Sequence, residues 1–318
     1  MNIKEIAKNI LFDTYKASTA LFKIMIPVSI VVRILQETGL IHNVGDALNP
    51  LMKLVGLPGE MGLVWATTMI TNLYGGILAL VAIQGSVSLT VAQVTVLTTM
   101  MLVAHTFPIE LQVARKAGVK LRAMFILRFS FALVLGILLN WFYKSFDMLQ
   151  QHAVITFKTN KVLNPSWLEW GISEIKNYGI ILLVIFSLIL MMKILNLTGV
   201  IKLITKLFKP ILGVMGIGSE VITITIIGLT LGIAYGGALI IKETEQKKVK
   251  VRDVFYALTL MGLCHSMIED TLLMIALGGD ISGVLFARII FAFIVTYLIV
   301  RFTKNLSNEF FKKYLVRE

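Results

Sequence analysis

Two histidines that are each followed by carboxylates are the residues of this sequence that could carry chemistry. His105 stands five positions before Glu110, and His265 stands four and five positions before Glu269 and Asp270. Both groups lie in or beside apolar runs, where an ionisable side chain is costly and is therefore a candidate for function. Imidazole changes charge near neutral pH, and carboxylates can be tuned towards that range, so such a group could bind a solute or relay protons.

Four interpretations of these groups stay open. They could form a substrate or ion site where the two histidine segments meet, a proton relay, or a transition-metal site. Against the metal interpretation, the spacing of the acids and histidines does not match the helical His-x-x-x-His pattern, and the sequence identifies no metal. In the fourth interpretation the acids are neutralised internally, Glu110 by Arg128 and Asp270 by Arg288.

The composition of the chain indicates that these groups belong to a membrane protein. Hydrophobic residues make up 57% and charged residues 15% of the 318 residues, and the mean hydropathy is +0.85. A soluble domain carries about a quarter charged residues. The net charge of +12 does not indicate nucleic-acid binding, because Lys and Arg stand in short clusters between apolar runs, as in cytoplasmic loops. We therefore expect a multi-pass protein of the cell (inner) membrane, with the lipid bilayer and a small solute or ion as partners.

An internal repeat divides the chain into two similar halves. ILQETGLI from residue 34 matches ILNLTGVI from residue 194, an offset of 160. The same offset relates Pro50 to Pro210, Gly56 to Gly216, Glu60 to Glu220, Met101 to Met261, His105 to His265 and Arg128 to Arg288. We predict an N-terminal interfacial helix at 1–19, a first repeat at 20–143, an extracytoplasmic loop at 144–178, a second repeat at 179–303 and a cytoplasmic tail at 304–318.

The placement of charge predicts that the second repeat is inverted in the membrane. Each repeat has four apolar runs, and if all eight crossed, the basic segments 115–122 and 202–209 would lie outside, against the positive-inside rule. If the second run of each repeat is a re-entrant hairpin, three spans remain and both basic segments fall inside. The predicted fold is therefore all-α: two inverted repeats, each of three transmembrane helices plus a re-entrant helical hairpin, with both termini cytoplasmic.

The tips of these hairpins add candidate residues to the site. Residues 71–76, TNLYGG, are polar and glycine-rich within an apolar run, and Tyr74-Gly75-Gly76 matches Tyr235-Gly236-Gly237 at an offset of 161. Irregular backbone at membrane depth survives only where protein buries it or where it lines a watery cavity. The alternative is a plain span with small residues at a helix contact. The candidate substrate- or ion-binding residues are His105, Glu110, His265, Glu269, Asp270, Asn72, Tyr74, Gly75, Gly76, Tyr235, Gly236 and Gly237. Pro108 is expected to kink the helix near His105.

The repeat unit resembles the nucleoside-recognition, or Gate, domain. The marks of this resemblance are Thr38-Gly39 and Thr198-Gly199, Pro50 and Pro210, Gly56 and Gly216, Glu60 and Glu220, and the two Tyr-Gly-Gly elements. Such domains are similar to parts of concentrative nucleoside transporters, ferrous-iron permeases and spore-maturation membrane proteins. The resemblance implies a helical, transport-type fold with gating hairpins, and it does not fix the substrate.

Our hypothesis from the sequence is a secondary transporter of a small polar or ionic solute, with its site at mid-membrane between inverted repeats. It requires no catalytic residue and no cofactor other than a coupling proton or cation, and it is compatible with a homo-oligomer. One alternative is a non-transporting membrane assembly protein of the spore-maturation type. Another is an intramembrane enzyme that uses the His and acid groups, against which stands the lack of a nucleophile–base signature.

Overall fold

The computed structural model describes residues 3–84, 87–155 and 166–317, which form helices and their connecting segments, with two isolated bridges and no strand among them. The predicted all-α class is confirmed. Residues 156–165 of the predicted loop, and the chain ends at 1–2 and 318, lie outside the described residues. The helices are α1 Ile3–Glu37, α2 Leu40–Leu54, α3 Met61–Ile70, α4 Leu73–Ile83, α5 Val91–Val103, α6 Phe107–Lys116, α7 Leu121–Ser145, α8 Trp167–Leu197, α9 Val200–Val214, α10 Ser219–Leu231, α11 Ile233–Glu245, α12 Val251–Leu263, α13 Glu269–Ala276, a π-helical turn Ser282–Ala287 that continues into α14 Arg288–Thr303, and α15 Asn308–Tyr314.

Five helical stretches of the described chain are long and apolar enough to cross a membrane. They are Lys8–Glu37, Val91–Lys116, Leu121–Ser145, Trp167–Leu195 and Ser282–Thr303. In the Trp167–Leu195 stretch only 17% of the most apolar window is buried within the protein, whereas in Val91–Lys116 the share is 83%. Apolar surface this extensive is stable only when lipid covers it, so the protein is a multi-pass membrane protein whose centre contains α5 and α6.

The long helices α1 and α8 differ from the boundaries that the sequence suggested. The predicted interfacial segment 1–19 and the first span form one continuous helix, Ile3–Glu37. Helix α8 begins at Trp167, so the predicted loop 144–178 is wrong over its last twelve positions. The cause is a capping box: Ser166 N–H donates to Glu169 Oε2 (2.8 Å), and Glu169 N–H donates to Ser166 Oγ (3.3 Å).

Each half of the chain contains two short helices that pack side by side. Helices α3 and α4 are joined at Thr71–Asn72, where Asn72 Oδ1 accepts a hydrogen bond from Gly75 N–H (3.0 Å) and so caps α4. Helices α10 and α11 are joined at Gly232, whose φ of 99° suits glycine. The amphipathic helices α2 and α9 lead into these pairs, which are two helical hairpins.

A broken helix follows each hairpin. The first break separates α5 from α6 before Pro108, where the sequence predicted a kink, and the second separates α12 from α13. The second break has Ile268 in place of the proline, so proline is not required. Thr106 N–H donates to Thr68 O (3.1 Å) and Met267 N–H donates to Leu229 O (2.9 Å). The last turn of each hairpin's first helix therefore satisfies the backbone that the break exposes.

Basic segments of both halves meet at one end of the molecule. Lys120 N–H, in the turn between α6 and α7, donates to Leu315 O in the C-terminal tail (2.9 Å). Arg252, at the start of α12, donates from Nη2 to Leu306 O (2.7 Å). The end of α6, the start of α7, the start of α12 and the tail after α14 are thus neighbours.

At the end of the molecule opposite the basic segments, the other ends of these helices lie close together. Ala92 N–H at the start of α5 donates to Leu149 O after α7 (2.8 Å). Asp280 N–H, before the π-helical turn, donates to Thr95 Oγ1 of α5 (2.9 Å). The start of α5, the end of α7, the end of α13 and the start of α14 therefore lie together, away from the basic end.

Candidate functional site

The two histidines meet in the centre of the protein, where the two broken helices cross. His105 Nε2 and His265 Nε2 are 3.1 Å apart, and both residues are buried. His105 Nδ1 lies 2.9 Å from Met101 O, and His265 Nδ1 lies 2.8 Å from Met261 O. A carbonyl oxygen only accepts hydrogen bonds, so each Nδ1 carries the hydrogen and both Nε2 atoms face each other.

Glu110 lies against both histidines. Its Oε1 is 3.3 Å from His105 Nε2 and 3.3 Å from His265 Nε2, and its Oε2 pairs with Arg128 Nη1. Arg128 Nε also donates to Val103 O at the end of α5 (2.9 Å). Glu110 stands in the first turn of α6, where the helix dipole favours a negative charge. The first half therefore contributes a buried carboxylate with one oxygen paired to Arg128 and the other facing the two histidines.

Asp270 occupies the position equivalent to Glu110 but is differently surrounded. Ligand atoms of Asp270, His105 and His265 all lie within 4.8 Å of one another. The predicted pairing of Asp270 with Arg288 is not formed within the described residues. Arg288 instead donates to His265 O (2.6 Å) and Leu263 O (3.3 Å). Aspartate is one methylene shorter than glutamate, which accounts for the difference from the Glu110–Arg128 pair.

The first hairpin tip approaches this cluster. Asn72 caps α4, and Tyr74 is half-buried and close enough to Glu269 and Asp270 to interact with both electrostatically. Gly75 and Gly76 allow close packing: a Cβ on Gly75 would lie 2.2 Å from Thr71 Oγ1, and one on Gly76 would lie 1.8 Å from Thr68 Oγ1. The tip of this hairpin packs against the first broken helix, since a Cβ on Gly76 would also lie 2.8 Å from Met101 Cε.

The tyrosine and glycines of the second hairpin are placed differently from those of the first. Tyr235 is 65% exposed, so its side chain lies on the outer surface rather than in the cluster. A Cβ on Gly236 would lie 2.6 Å from Gly228 Cα, and one on Gly237 would lie 2.3 Å from Val113 Cγ1 in α6. These glycines pack α11 against α10 and α6.

The carbonyl groups of Met101 and Met261 are parts of the candidate site that residue types alone did not indicate. Each orients a histidine four positions later by accepting from Nδ1. The available signal was the Met–His spacing of four, which occurs in both repeats at the offset of 160. A helix that ends between the two residues leaves the methionine carbonyl free for the ring.

The fold and the site together define a class: a multi-pass helical membrane protein with two hairpins and two broken helices around a buried histidine pair. Residues 19–120 match the family model described as nucleoside recognition, the Gate domain. The match agrees with the predicted resemblance over the first repeat, and the protein is a multi-pass membrane protein whose residues 19–120 are similar to the Gate domain. Over 295 residues the chain is 27% identical to the "Uncharacterized membrane protein YvoD" of Bacillus subtilis (strain 168), covering 92% of this chain and 93% of that protein. No solved structure matches it.

Proposed function

We propose that the protein is a secondary transporter of a small polar or ionic solute, bound at mid-membrane between two inverted repeats. The observation that carries the proposal is the contact of His105 and His265, contributed by equivalent breaks in the two halves. The first break begins 13 residues after the start of α5, or about 20 Å at 1.5 Å per residue. That depth lies inside a hydrocarbon core of about 30 Å, away from both surfaces.

The contacts at the two ends of the molecule support the inversion. From its start beside Leu149 to its end near Lys120, the α5–α6 helix runs towards the basic end, and from Arg252 the α12–α13 helix runs away from it. Helices α7 and α14 are related in the same way. The proposal therefore has six spans, with α12–α13 as the sixth, and places the basic end and both termini in the cytoplasm of a cell whose inner membrane holds the protein.

The hairpins are re-entrant in this proposal. Glu60, at the start of α3, lies against Gly45 of α2, and Gln36 Nε2 near the end of α1 donates to Ala82 O near the end of α4 (2.7 Å). Both ends of the first hairpin are therefore close to the same end of α1. Its tip reaches the break beside Thr106, which supports a hairpin that enters and leaves on one face. Movement of such hairpins past a central site is a route to alternating access.

The polarity of the centre supports a polar or charged solute. Arg128 Nη2 and Arg288 Nη1 are buried and have no hydrogen-bond partner within the described part of the chain. Buried donors without partners are costly. A polar solute or water between the repeats would satisfy them, whereas an apolar solute would not. The proposal assigns no catalytic residue and no resident cofactor. Transport of the solute would be coupled to a proton or cation.

A flux assay in proteoliposomes tests this proposal. The purified protein would be challenged with a panel of nucleosides, amino acids, organic anions and inorganic cations, with and without an inward proton gradient. We expect one class to move faster than in protein-free liposomes, and His265→Gln to abolish that flux. His152→Ala is the matched control, because His152 is exposed and lies outside the centre. If no member of the panel moves, and if His265→Gln has no effect in cells, the transport proposal is refuted; stable capture of partner proteins without flux would then favour an assembly role.

A further inference from the structure

The hydrogen bonds of the two histidines leave the lone pairs of their Nε2 atoms pointing at each other. Because both Nδ1 atoms donate to carbonyl oxygens, both neutral rings direct an Nε2 lone pair towards the other across 3.1 Å. Two acceptors at that distance repel each other unless a positive charge lies between or beside them. Histidines that bind metals commonly donate their other ring N–H to a carbonyl or carboxylate in this way.

The distances between the two histidine nitrogens and the nearest Glu110 oxygen match those between neighbouring ligand atoms around a metal ion. His105 Nε2, His265 Nε2 and Glu110 Oε1 form a triangle with sides of 3.1, 3.3 and 3.3 Å. Metal–N and metal–O bonds of about 2.0–2.2 Å in a tetrahedron separate neighbouring ligand atoms by about 3.3 Å. The triangle therefore has the dimensions of one tetrahedral face. Arg128 holds Oε2 of Glu110 and leaves Oε1 directed at the histidines.

Asp270 supplies the fourth ligand. Its carboxylate lies within 4.8 Å of the histidine ligand atoms. It has no ion-pair partner within the described residues, since Arg288 is held by two carbonyl oxygens instead. In a site where His105, His265 and Glu110 are only 2–5% exposed, a cation would stabilise the ionised form of this carboxylate beside the two imidazoles.

We propose that His105, His265 and Asp270, with Glu110 Oε1 closing the site, bind one divalent first-row transition-metal ion. Two imidazole nitrogens with two carboxylate oxygens favour Zn²⁺, Fe²⁺, Co²⁺ or Mn²⁺ over Ca²⁺ and Mg²⁺, which prefer oxygen ligands alone. The ion would join the two halves of the protein at their point of contact. Binding is independent of the transport proposal, because it requires no flux.

Cobalt absorption spectroscopy tests the metal site directly. The full-length protein, purified without a polyhistidine tag, stripped with a chelator and held in lipid nanodiscs, would be titrated with Co²⁺ and then with Zn²⁺. We expect one Co²⁺ per chain with the visible absorption of a four-coordinate site, displacement by Zn²⁺, and no displacement by Mg²⁺ or Ca²⁺. His152→Ala should bind as the wild type does, whereas His265→Ala should bind at least about 100-fold more weakly, since even loss of an outer-shell partner costs about 10–100-fold.

A second variant keeps the test decisive if His265→Ala fails to fold. His265→Cys retains a ligand and should shift the preference from Zn²⁺ towards the softer Cd²⁺, with a thiolate–cobalt charge-transfer band. The inference is overturned if the wild type binds no Co²⁺ or Zn²⁺, or if the double variant His105→Ala/His265→Ala binds as tightly as the wild type. Metal binding without flux of any panel member, and without an effect of His265→Gln in cells, would refute transport alone. Flux of another solute without metal binding would refute the metal site alone.

Discussion

Removal of Arg128 tests whether the buried charge cluster is arranged as the structure indicates. Glu110 is 5% exposed and Arg128 1% exposed, so Arg128→Met leaves a carboxylate buried without its guanidinium. Breaking a buried pair by removing one partner typically costs about 3–5 kcal/mol. We expect a loss of that size in the free energy of unfolding.

The equivalent arginine of the second half is a matched control. Arg288 is equally buried but donates to the carbonyl oxygens of Leu263 and His265 and has no acidic partner in the described chain. Arg288→Met therefore leaves unsatisfied acceptors but no unpaired acid, a loss of about 1–3 kcal/mol. The two substitutions remove the same side chain from equivalent positions, so a larger loss for Arg128→Met than for Arg288→Met reports on the Glu110–Arg128 pair.

Steric trapping in bicelles would measure both free energies, together with Glu110→Gln and the double variant Glu110→Gln/Arg128→Met. The double-mutant cycle should give a coupling of at least about 2 kcal/mol between Glu110 and Arg128. Equal losses for Arg128→Met and Arg288→Met, with a coupling below about 0.5 kcal/mol, would refute the asymmetric pairing.

Two further substitutions test the first hairpin by thermal unfolding. Gly76→Ala places a Cβ 1.8 Å from Thr68 Oγ1 and should cost about 1–3 kcal/mol, whereas Gly179→Ala, in α8 with nothing within 4 Å of the added atom, should be neutral or slightly stabilising. Asn72→Ala removes the side-chain cap on Gly75 N–H and should cost about 1 kcal/mol, and Asn72→Asp, which keeps an acceptor oxygen, should cost less. Unchanged unfolding temperatures for both Gly76→Ala and Asn72→Ala would contradict the close packing and the cap.

Much of the fold was accessible from the sequence because the repeat offset and the hydrophobic runs are strong signals. The offset paired His105 with His265 before their contact was known, and the polar segment 71–76 marked the hairpin tip. The start of α8 differs from the prediction because the Ser166–Glu169 capping box begins the helix in a polar segment that precedes the apolar run. The equivalent breaks show why Pro108 alone was an incomplete signal: backbone hydrogen bonds from Thr68 O and Leu229 O, which are tertiary, support both breaks.

The asymmetry of the site could not be read from the repeat. The matching residues of the two repeats suggested two equivalent acid–arginine pairs. However, the Asp270 side chain is shorter than that of Glu110, and Arg288 donates to carbonyl groups instead. Tyr74 is the second residue of α4, whereas Tyr235 is the third of α11. One inserted residue rotates a helix position by about 100°, which explains why Tyr74 is half-buried while Tyr235 is exposed. Such differences depend on side-chain length and helix phase rather than on residue type.

The most direct test of the central claim, two inverted halves around one site, is cysteine accessibility on opposite faces. Cys264 would first be replaced by Ala, the residue that Ala104 supplies at the equivalent buried position. Ser88 and Gln246 are both exposed, and each would be changed to Cys in turn. A membrane-impermeant maleimide applied to intact cells should label Ser88→Cys and spare Gln246→Cys until the membrane is permeabilised. Labelling of both residues from the same side would contradict the inversion and, with it, a site shared by two opposed repeats.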